Sequence, residues 1–399
     1  MNEGPNVKSI NLFTVLLLVT TLMGMGAVRY DLSFLRLGSY VAEVLLILYT
    51  FTKSKWNFNS KTATSLIVCA VIIVVNNIVS PYEHSYSDIL KYFGYLCLFM
   101  YGRTLALRYD AIKVNKLLLY TLVLFPAIVV AFLDNSTLKN SFFPTSNTFV
   151  YMGLSMGLFY MLINYHRHKC IKIAWLIVAL YILICTSLGV VVAIAMAFVI
   201  LNLKRSHLPY LLIGSALLIM AILFIDIPLF ARFRDVFALW STMSSDDLKN
   251  LSDVNYYELN QRVETTGDRE DVGSSVWRLS QWSGLLIEYF KNVWSIPFGL
   301  GTGFSVFKTG LLPHNDYVMI LTEYGLIVFL LFFRFIRSVY RRLKNEGVLI
   351  YFILPMFIYS LTENLIQSFP QNAIFYFVLG WSINKYKFKT VAYESFAHK

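Results

Sequence analysis

Residues 167–205 read RHKCIKIAWLIVALYILICTSLGVVVAIAMAFVILNLKR, and the way this stretch is divided decides the fold. Taken as one helix, it is a long apolar rod with basic residues at both ends. Taken as two helices joined at Thr186-Ser187-Leu188-Gly189, it is a hairpin that returns the chain to the side it left. Charge separates the two readings. Arg167, Lys169 and Lys172 lead into the stretch, and Lys204 and Arg205 leave it. Connections rich in Lys and Arg stay on the inner side of a membrane. One span would strand one of these groups outside, so the reading is two helices.

Working outward, the same rule orders the whole chain. Apolar runs of about 18–22 residues match the thickness of a bilayer. Such runs recur at 10–28, 34–52, 62–80, 87–106, 115–133, 148–165, 171–186, 188–203, 208–230, 315–336, 348–363 and 371–385. Basic residues gather in alternate connections: Lys53, Lys55 and Lys61; Arg103, Arg108, Lys113 and Lys116; the two groups above; Arg334, Arg337, Arg341, Arg342 and Lys344; and Lys385, Lys387 and Lys389. The intervening short connections hold only Arg29, Arg36 and Lys139. The pattern predicts an all-α polytopic membrane protein of about twelve transmembrane helices, both termini inside, with one long, partly helical outer loop. Three regions follow: N-terminal membrane helices over 1–230, the outer loop over 231–314, and C-terminal membrane helices with a short inner tail over 315–399. The first run follows a single Lys8 and lacks a small-residue cleavage site, so it is expected to be retained. No internal repeat of the transporter kind is present.

Composition agrees. Of 399 residues, 57% are hydrophobic and 14% charged, where a soluble domain has about one charged residue in four. Mean hydropathy is +0.61. These values exclude an ordinary water-soluble enzyme, and the absence of short alternating segments excludes a membrane β-barrel. The four cysteines, Cys69, Cys97, Cys170 and Cys185, lie in or beside apolar runs without CxxC spacing, which argues against a disulfide framework or a zinc site. The net charge is +11, yet residues 231–310 hold ten acidic against eight basic residues. The positive excess therefore falls on the inner face, where it serves orientation and contact with anionic lipid, not nucleic acid.

The long segment is where chemistry is expected, because long ordered loops are usually functional. Val276 to Trp294 is amphipathic, with Trp277, Trp282, Leu285, Leu286, Tyr289, Phe290, Val293 and Trp294 forming an aromatic-rich stripe suited to a membrane interface. It is followed by Pro297, the run Gly299-Leu300-Gly301-Thr302-Gly303, and Pro313-His314-Asn315-Asp316-Tyr317 at the mouth of a helix. Of the six histidines, His166, His168, His207 and His398 fall on the inner side and only His84 and His314 face outward. Glu323 and Glu363 are acids inside apolar runs, where an isolated charge is costly and normally has a partner or a function.

The order Gly-Leu-Gly-Thr-Gly-Phe, Pro-His-Asn-Asp-Tyr and Leu-Thr-Glu-Tyr-Gly over residues 299–325, after the Arg-bearing helix Trp277-Arg278-Leu279-Ser280-Gln281-Trp282, resembles the O-antigen polymerase and O-antigen ligase superfamily. The motif match covers residues 277–325; the helix layout with one dominant outer loop agrees along the chain. Where that family often carries a Ser-Arg-Gly turn, this chain has Ser187-Leu188-Gly189. Arg232 or Arg234, at the start of the long loop, is the positional substitute for the missing cation.

The resemblance implies a glycosyltransferase of a bacterial inner membrane, acting on the periplasmic face with a polyprenyl diphosphate-linked oligosaccharide as donor. A donor that carries its own activated bond is needed where no nucleotide sugar is present. His314 is then the candidate base for the acceptor hydroxyl, and Arg278, with Arg232 and Arg234, the candidate receiver of the diphosphate. Arg278 can alternatively serve as an interfacial anchor. Gly301 and Gly303 either let backbone N–H groups approach phosphate or form a hinge. Asn315, Tyr317 and Glu323 either orient the histidine or bind sugar hydroxyls, and Tyr317 and Glu323 can equally pack within the bundle. Polymerisation of repeat units with inversion at the anomeric carbon is the leading activity; ligation to lipid A core, or a non-enzymatic flippase for the same lipid-linked saccharide, are the alternatives. The partners are the lipid-linked saccharide, membrane lipid and a chain-length regulator. No cofactor is expected, and no metal: Asp246-Asp247 and Asp268-Arg269-Glu270-Asp271 match no coordination spacing. Turnover in excess chelator should equal turnover without it, and a loss of activity restored by a divalent cation would overturn the metal-independent reading.

Overall fold

The structure is a computed structural model describing residues 7–30, 33–56, 61–82, 86–132, 146–164, 170–184, 188–202, 274–344, 348–366 and 368–384, with scattered positions between 203 and 273. It is mostly helical. The helices are α1 (Asn11–Tyr30), α2 (Ser33–Lys53), α3 (Lys61–Val79), α4 (Tyr86–Arg108), α5 (Lys116–Phe132), α6 (Ser146–Asn164), α7 (Cys170–Ile184), α8 (Leu188–Asn202), α9 (Ser274–Lys291), α10 (Ser295–Phe298), α11 (Phe304–Thr309), α12 (Asp316–Leu343), α13 (Ile350–Tyr359) and α14 (Phe369–Asn384). Every apolar run expected to be a helix contains one, except 208–230, which lies almost wholly outside the described residues; the run 315–336 is interrupted at Gly325, and within 348–363 the helix covers Ile350–Tyr359. The helices α7 and α8 occupy the two halves expected of 171–203, and the expected joint at Thr186-Ser187 lies outside the described residues.

Among the described residues, two helices are both long and apolar enough to cross a membrane, Ser33–Lys53 and Asp316–Leu343. Length and composition over the described residues establish an all-α chain but not twelve spans. One element has no counterpart in the helical reading: β1 (Val7–Ser9) pairs in parallel with β2 (Ala111–Lys113). Ile10 N continues the ladder to Lys113 O at 3.0 Å, which ties the start of α1 to the α4–α5 connection. Three residues per strand are too few to leave a periodic signal.

The chain divides into two units, one of Met1–Ile78, His84–Ala197 and Leu330–Lys399, the other of Val79–Glu83 and Phe198–Phe329. In the first, α14 packs most extensively on α4, and also on α6; α1 packs on α2 and α6 on α7. The three central helices are buried nearly all round: Leu96 to Tyr101 of α4, Phe149 to Met152 of α6 and Ala373 to Leu379 of α14 are inaccessible. Helices apolar on every face belong in an interior. The surrounding helices have the opposite character, with Leu48, Val71, Ile78, Leu176 and Leu183 exposed.

The α4–α14 contact is made backbone to backbone. A Cβ at Gly380 would fall 1.9 Å from Phe99 O, and one at Gly102 would fall 2.1 Å from Phe377 O. Small residues permit this approach, and dispersion over the whole contact rewards it. One turn away Tyr95 stacks on Tyr376 and Phe369, with centroids 4.9 and 5.6 Å apart, and donates its hydroxyl to Ile366 O at 2.7 Å. Pro126 interrupts the ladder of α5, and the Tyr181 hydroxyl donates to Val123 O there at 2.9 Å. Replacing Gly380 with Ala should force α4 and α14 apart and destabilise the protein by about 1–3 kcal/mol, the usual range for overpacking. A thermal melt followed by circular dichroism measures this, and an unchanged midpoint would contradict the backbone contact.

Candidate functional site

The second unit is organised by a break in a helix. Within α12, Gly325 takes φ 83° and ψ 174°, which separates Asp316–Tyr324 from Leu326–Leu343. A helix end leaves carbonyls without partners, and here the glycine run supplies them: Leu300 N donates to Thr322 O at 2.7 Å and Gly301 N to Glu323 O at 3.1 Å. The fit requires glycine on both sides. A Cβ at Gly299 (φ 83°, ψ 179°) would lie 2.2 Å from Glu323 O, and one at Gly325 would lie 2.4 Å from Pro297 O. Both dihedral pairs belong to a region that is essentially glycine-only.

Glu323 is buried, and its environment accounts for it. Its Oε1 accepts the Ser305 N–H at 3.2 Å, in the first turn of α11, where a helix favours negative charge. Gly303, at φ 84°, starts that helix. The amides of Gly299, Leu300 and Gly301 all donate to protein carbonyls, the first to Ser295 O at 2.7 Å. Close packing against the break is therefore what the run does, and the amide of Gly301 is already engaged.

At the other end of the half-helix stands His314, with φ 48°, a left-handed conformation that histidine tolerates better than most residues. Asn315 is the N-cap of α12: its Oδ1 accepts from Tyr317 N and Val318 N, both at 3.0 Å. Asp316 follows, buried at the positive end of the helix dipole. The turn is pinned from α9. The Trp282 indole N–H donates to Pro313 O, and the Trp277 ring meets the His314 imidazole edge-on at 5.4 Å and 62°. Arg278 is the neighbour of Trp277 and lies one turn before Trp282, so the chain places it on the side of α9 turned toward this loop. On α9 itself Val276, Ser280, Leu285 and Tyr289 are buried, whereas Phe290, like Val293 and Trp294 just beyond, is exposed.

Two further contacts brace the unit. Ser80 donates to Thr302 O at 2.6 Å, and Tyr82 packs on Phe304 and Phe307 at 5.4 and 4.9 Å. Glu288 Oε1 accepts from both Lys308 and Lys291 at 2.9 Å, linking α9 to α11; the hydrogen bonds from Lys308 and then Lys291 hold its carboxyl below the usual carboxylate range.

The expected site residues thus separate into two groups. His314, Asn315 and Tyr317 cluster at the start of the half-helix beside α9 and its Arg278. Glu323, Gly301 and Gly303 lie at its other end, about 12 Å away along the axis at 1.5 Å per residue, so Glu323 does not orient the histidine. Arg234 is helical and half-buried; Arg232 and His84 lie outside the described residues. The bracing by Ser80 and Tyr82 and the bond from Trp282 to Pro313 went unread in the sequence, since neither follows from spacing. Among the described residues no three His, Cys, Asp or Glu side chains are grouped to hold a metal ion. Asp247 accepts from Ser244 N and Oγ at 2.9 Å, and 268–271 lie outside the described residues.

Gly325→Ala should destabilise the second unit by about 2–5 kcal/mol, combining left-handed strain with the steric clash. Gly284→Ala, in mid-helix with open space around its Cα, should be neutral or stabilising by up to about 1 kcal/mol. Denaturation followed by tryptophan fluorescence compares the two, and equal midpoints would refute the account of the break.

No family model matches the chain, and no curated protein matches it.

Proposed function

We propose that the protein is an integral-membrane glycosyltransferase that joins polyprenyl diphosphate-linked oligosaccharide units, an O-antigen polymerase acting on the periplasmic face of a bacterial inner membrane with both termini in the cytoplasm. The observation that carries the reading is the pinning of the His314 turn by Trp277 and Trp282, which flank Arg278 on one helix. A base and a guanidinium on two elements held side by side are what this transfer needs. The exposed large apolar residues of the peripheral helices, the reverse of a soluble domain's surface, support membrane residence, as does the spanning length of α2.

In the reaction, an acceptor sugar hydroxyl oxygen attacks the anomeric carbon as the carbon–oxygen bond to the diphosphate breaks. The hydroxyl proton passes to the neutral imidazole of His314, and the bonding pair leaves on the diphosphate, whose added charge the guanidinium of Arg278 receives. The imidazolium then returns its proton to solvent or the released polyprenyl diphosphate. Attack opposite the leaving group inverts the anomeric centre, and no covalent enzyme intermediate forms. The edge-on Trp277 ring fixes the plane of the imidazole, and the Asn315 cap fixes the backbone beneath it.

His314→Ala should lower turnover by about 10²–10⁴, the range for loss of a positioned general base. In a strain lacking the native gene, the stably expressed variant should leave surface polysaccharide as single capped units. A normal length distribution would overturn the role of His314, and bare core would point instead to ligation or flipping.

A further inference from the structure

The first unit contains a cavity of about 360 Å³ between α12 and α13, apart from the site above. Its walls include Phe333, Arg337 and Tyr340 of α12 and Ile350, Leu354 and Phe357 of α13. On each helix these positions are spaced i, i+4, i+7, so each lends one continuous stripe. Arg337 is the sole charged residue in the lining, and the rest is apolar or aromatic.

Arg337 also belongs to a second stripe. Arg334, Arg337, Arg341 and Lys344 follow at spacings of three, four and three, which lays four cations along one helix face over about 15 Å. All four are exposed. Residues 326–344 contain no acid, and among the described residues none of the three arginines forms an ion pair. A slot with apolar walls and almost no hydrogen-bonding groups does not suit a peptide, whose backbone needs partners. It suits a hydrocarbon chain. A row of exposed arginines beginning at its wall suits a phosphate, which guanidinium binds through paired donors.

We propose that this cavity binds one acyl chain of an anionic phospholipid, with the lipid phosphate held by Arg337 and Arg341. The proposal rests on the membrane reading above, in which this basic row lies on the inner face. Basic pockets between helices on that side are suited to anionic headgroups. It does not rest on the glycosyl transfer, since no residue of the cavity belongs to the His314 site.

The test uses the full-length protein in mild detergent, titrated with dioleoyl-phosphatidylglycerol or with dioleoyl-phosphatidylcholine, which has the same chains and no net charge. Binding is read by native mass spectrometry. Phosphatidylglycerol should be retained as a single tightly bound copy and phosphatidylcholine should not. The double variant Arg337→Gln, Arg341→Gln should bind phosphatidylglycerol about thirtyfold more weakly, the combined effect of two cations near a lipid surface. Leu354→Trp, which fills the slot and leaves the cations in place, should weaken it comparably, while Lys53→Gln and His314→Ala should bind as the unaltered protein does. Circular dichroism shows that each variant keeps its helix content. Equal retention of the two lipids, wild-type affinity in the double or Leu354→Trp variant, or an equal loss in Lys53→Gln would overturn the proposal. If the protein extracts only with detergent yet shows no preference between lipids, the lipid site fails and the membrane reading stands; if it is recovered without detergent, the membrane reading fails first.

Discussion

Two hydrogen bonds carry the second unit: those by which Leu300 and Gly301 complete the carbonyls of Thr322 and Glu323 beside the break at Gly325. A broken helix in an apolar setting is unfavourable because every orphaned backbone group costs on the order of 1–3 kcal/mol when buried. Irregular backbone is tolerated there only when other protein backbone meets it. Here the glycine run is that backbone, and the absence of side chains at Gly299 and Gly325 is what allows the two segments to touch. The remaining geometry descends from this contact. It sets where α11 begins, which brings Ser305 N to the Glu323 carboxylate.

The half-helix consequently has two ends with different duties. Its C-terminal end is a structural joint, closed by glycines and a buried acid. Its N-terminal end is open to α9 and presents His314 on a strained turn held by an Asn cap and two tryptophans. Strain of this kind persists only where surrounding contacts over-determine it. The arrangement separates the residues that build the site from those that face it, although they share one short motif.

Much of this was legible in the residues beforehand. The apolar runs placed the helices closely, and the charges flanking 171–203 predicted its division into α7 and α8, because hydropathy and charge are properties of each segment. That α9 and the His314 loop belong to one motif also followed from motif order, and Trp277 and Trp282 make the contacts between them. The duty of Glu323 did not: an acid within an apolar run signals that some partner exists, and only the folded chain identifies it as Ser305 N. The parallel pairing of Val7–Ser9 with Ala111–Lys113 joins segments a hundred residues apart and leaves no trace in either.

What the sequence determined by itself is local or one-dimensional: helix positions, and which residue types meet at the mouth of a helix. Those follow from hydropathy and charge, which act on each segment independently of its neighbours. Tertiary structure alone decided where α12 breaks, which helices pack through Gly102 and Gly380, and which members of one motif build the joint at Gly325. Those depend on backbone-to-backbone approach between distant segments, a steric quantity that no single segment contains.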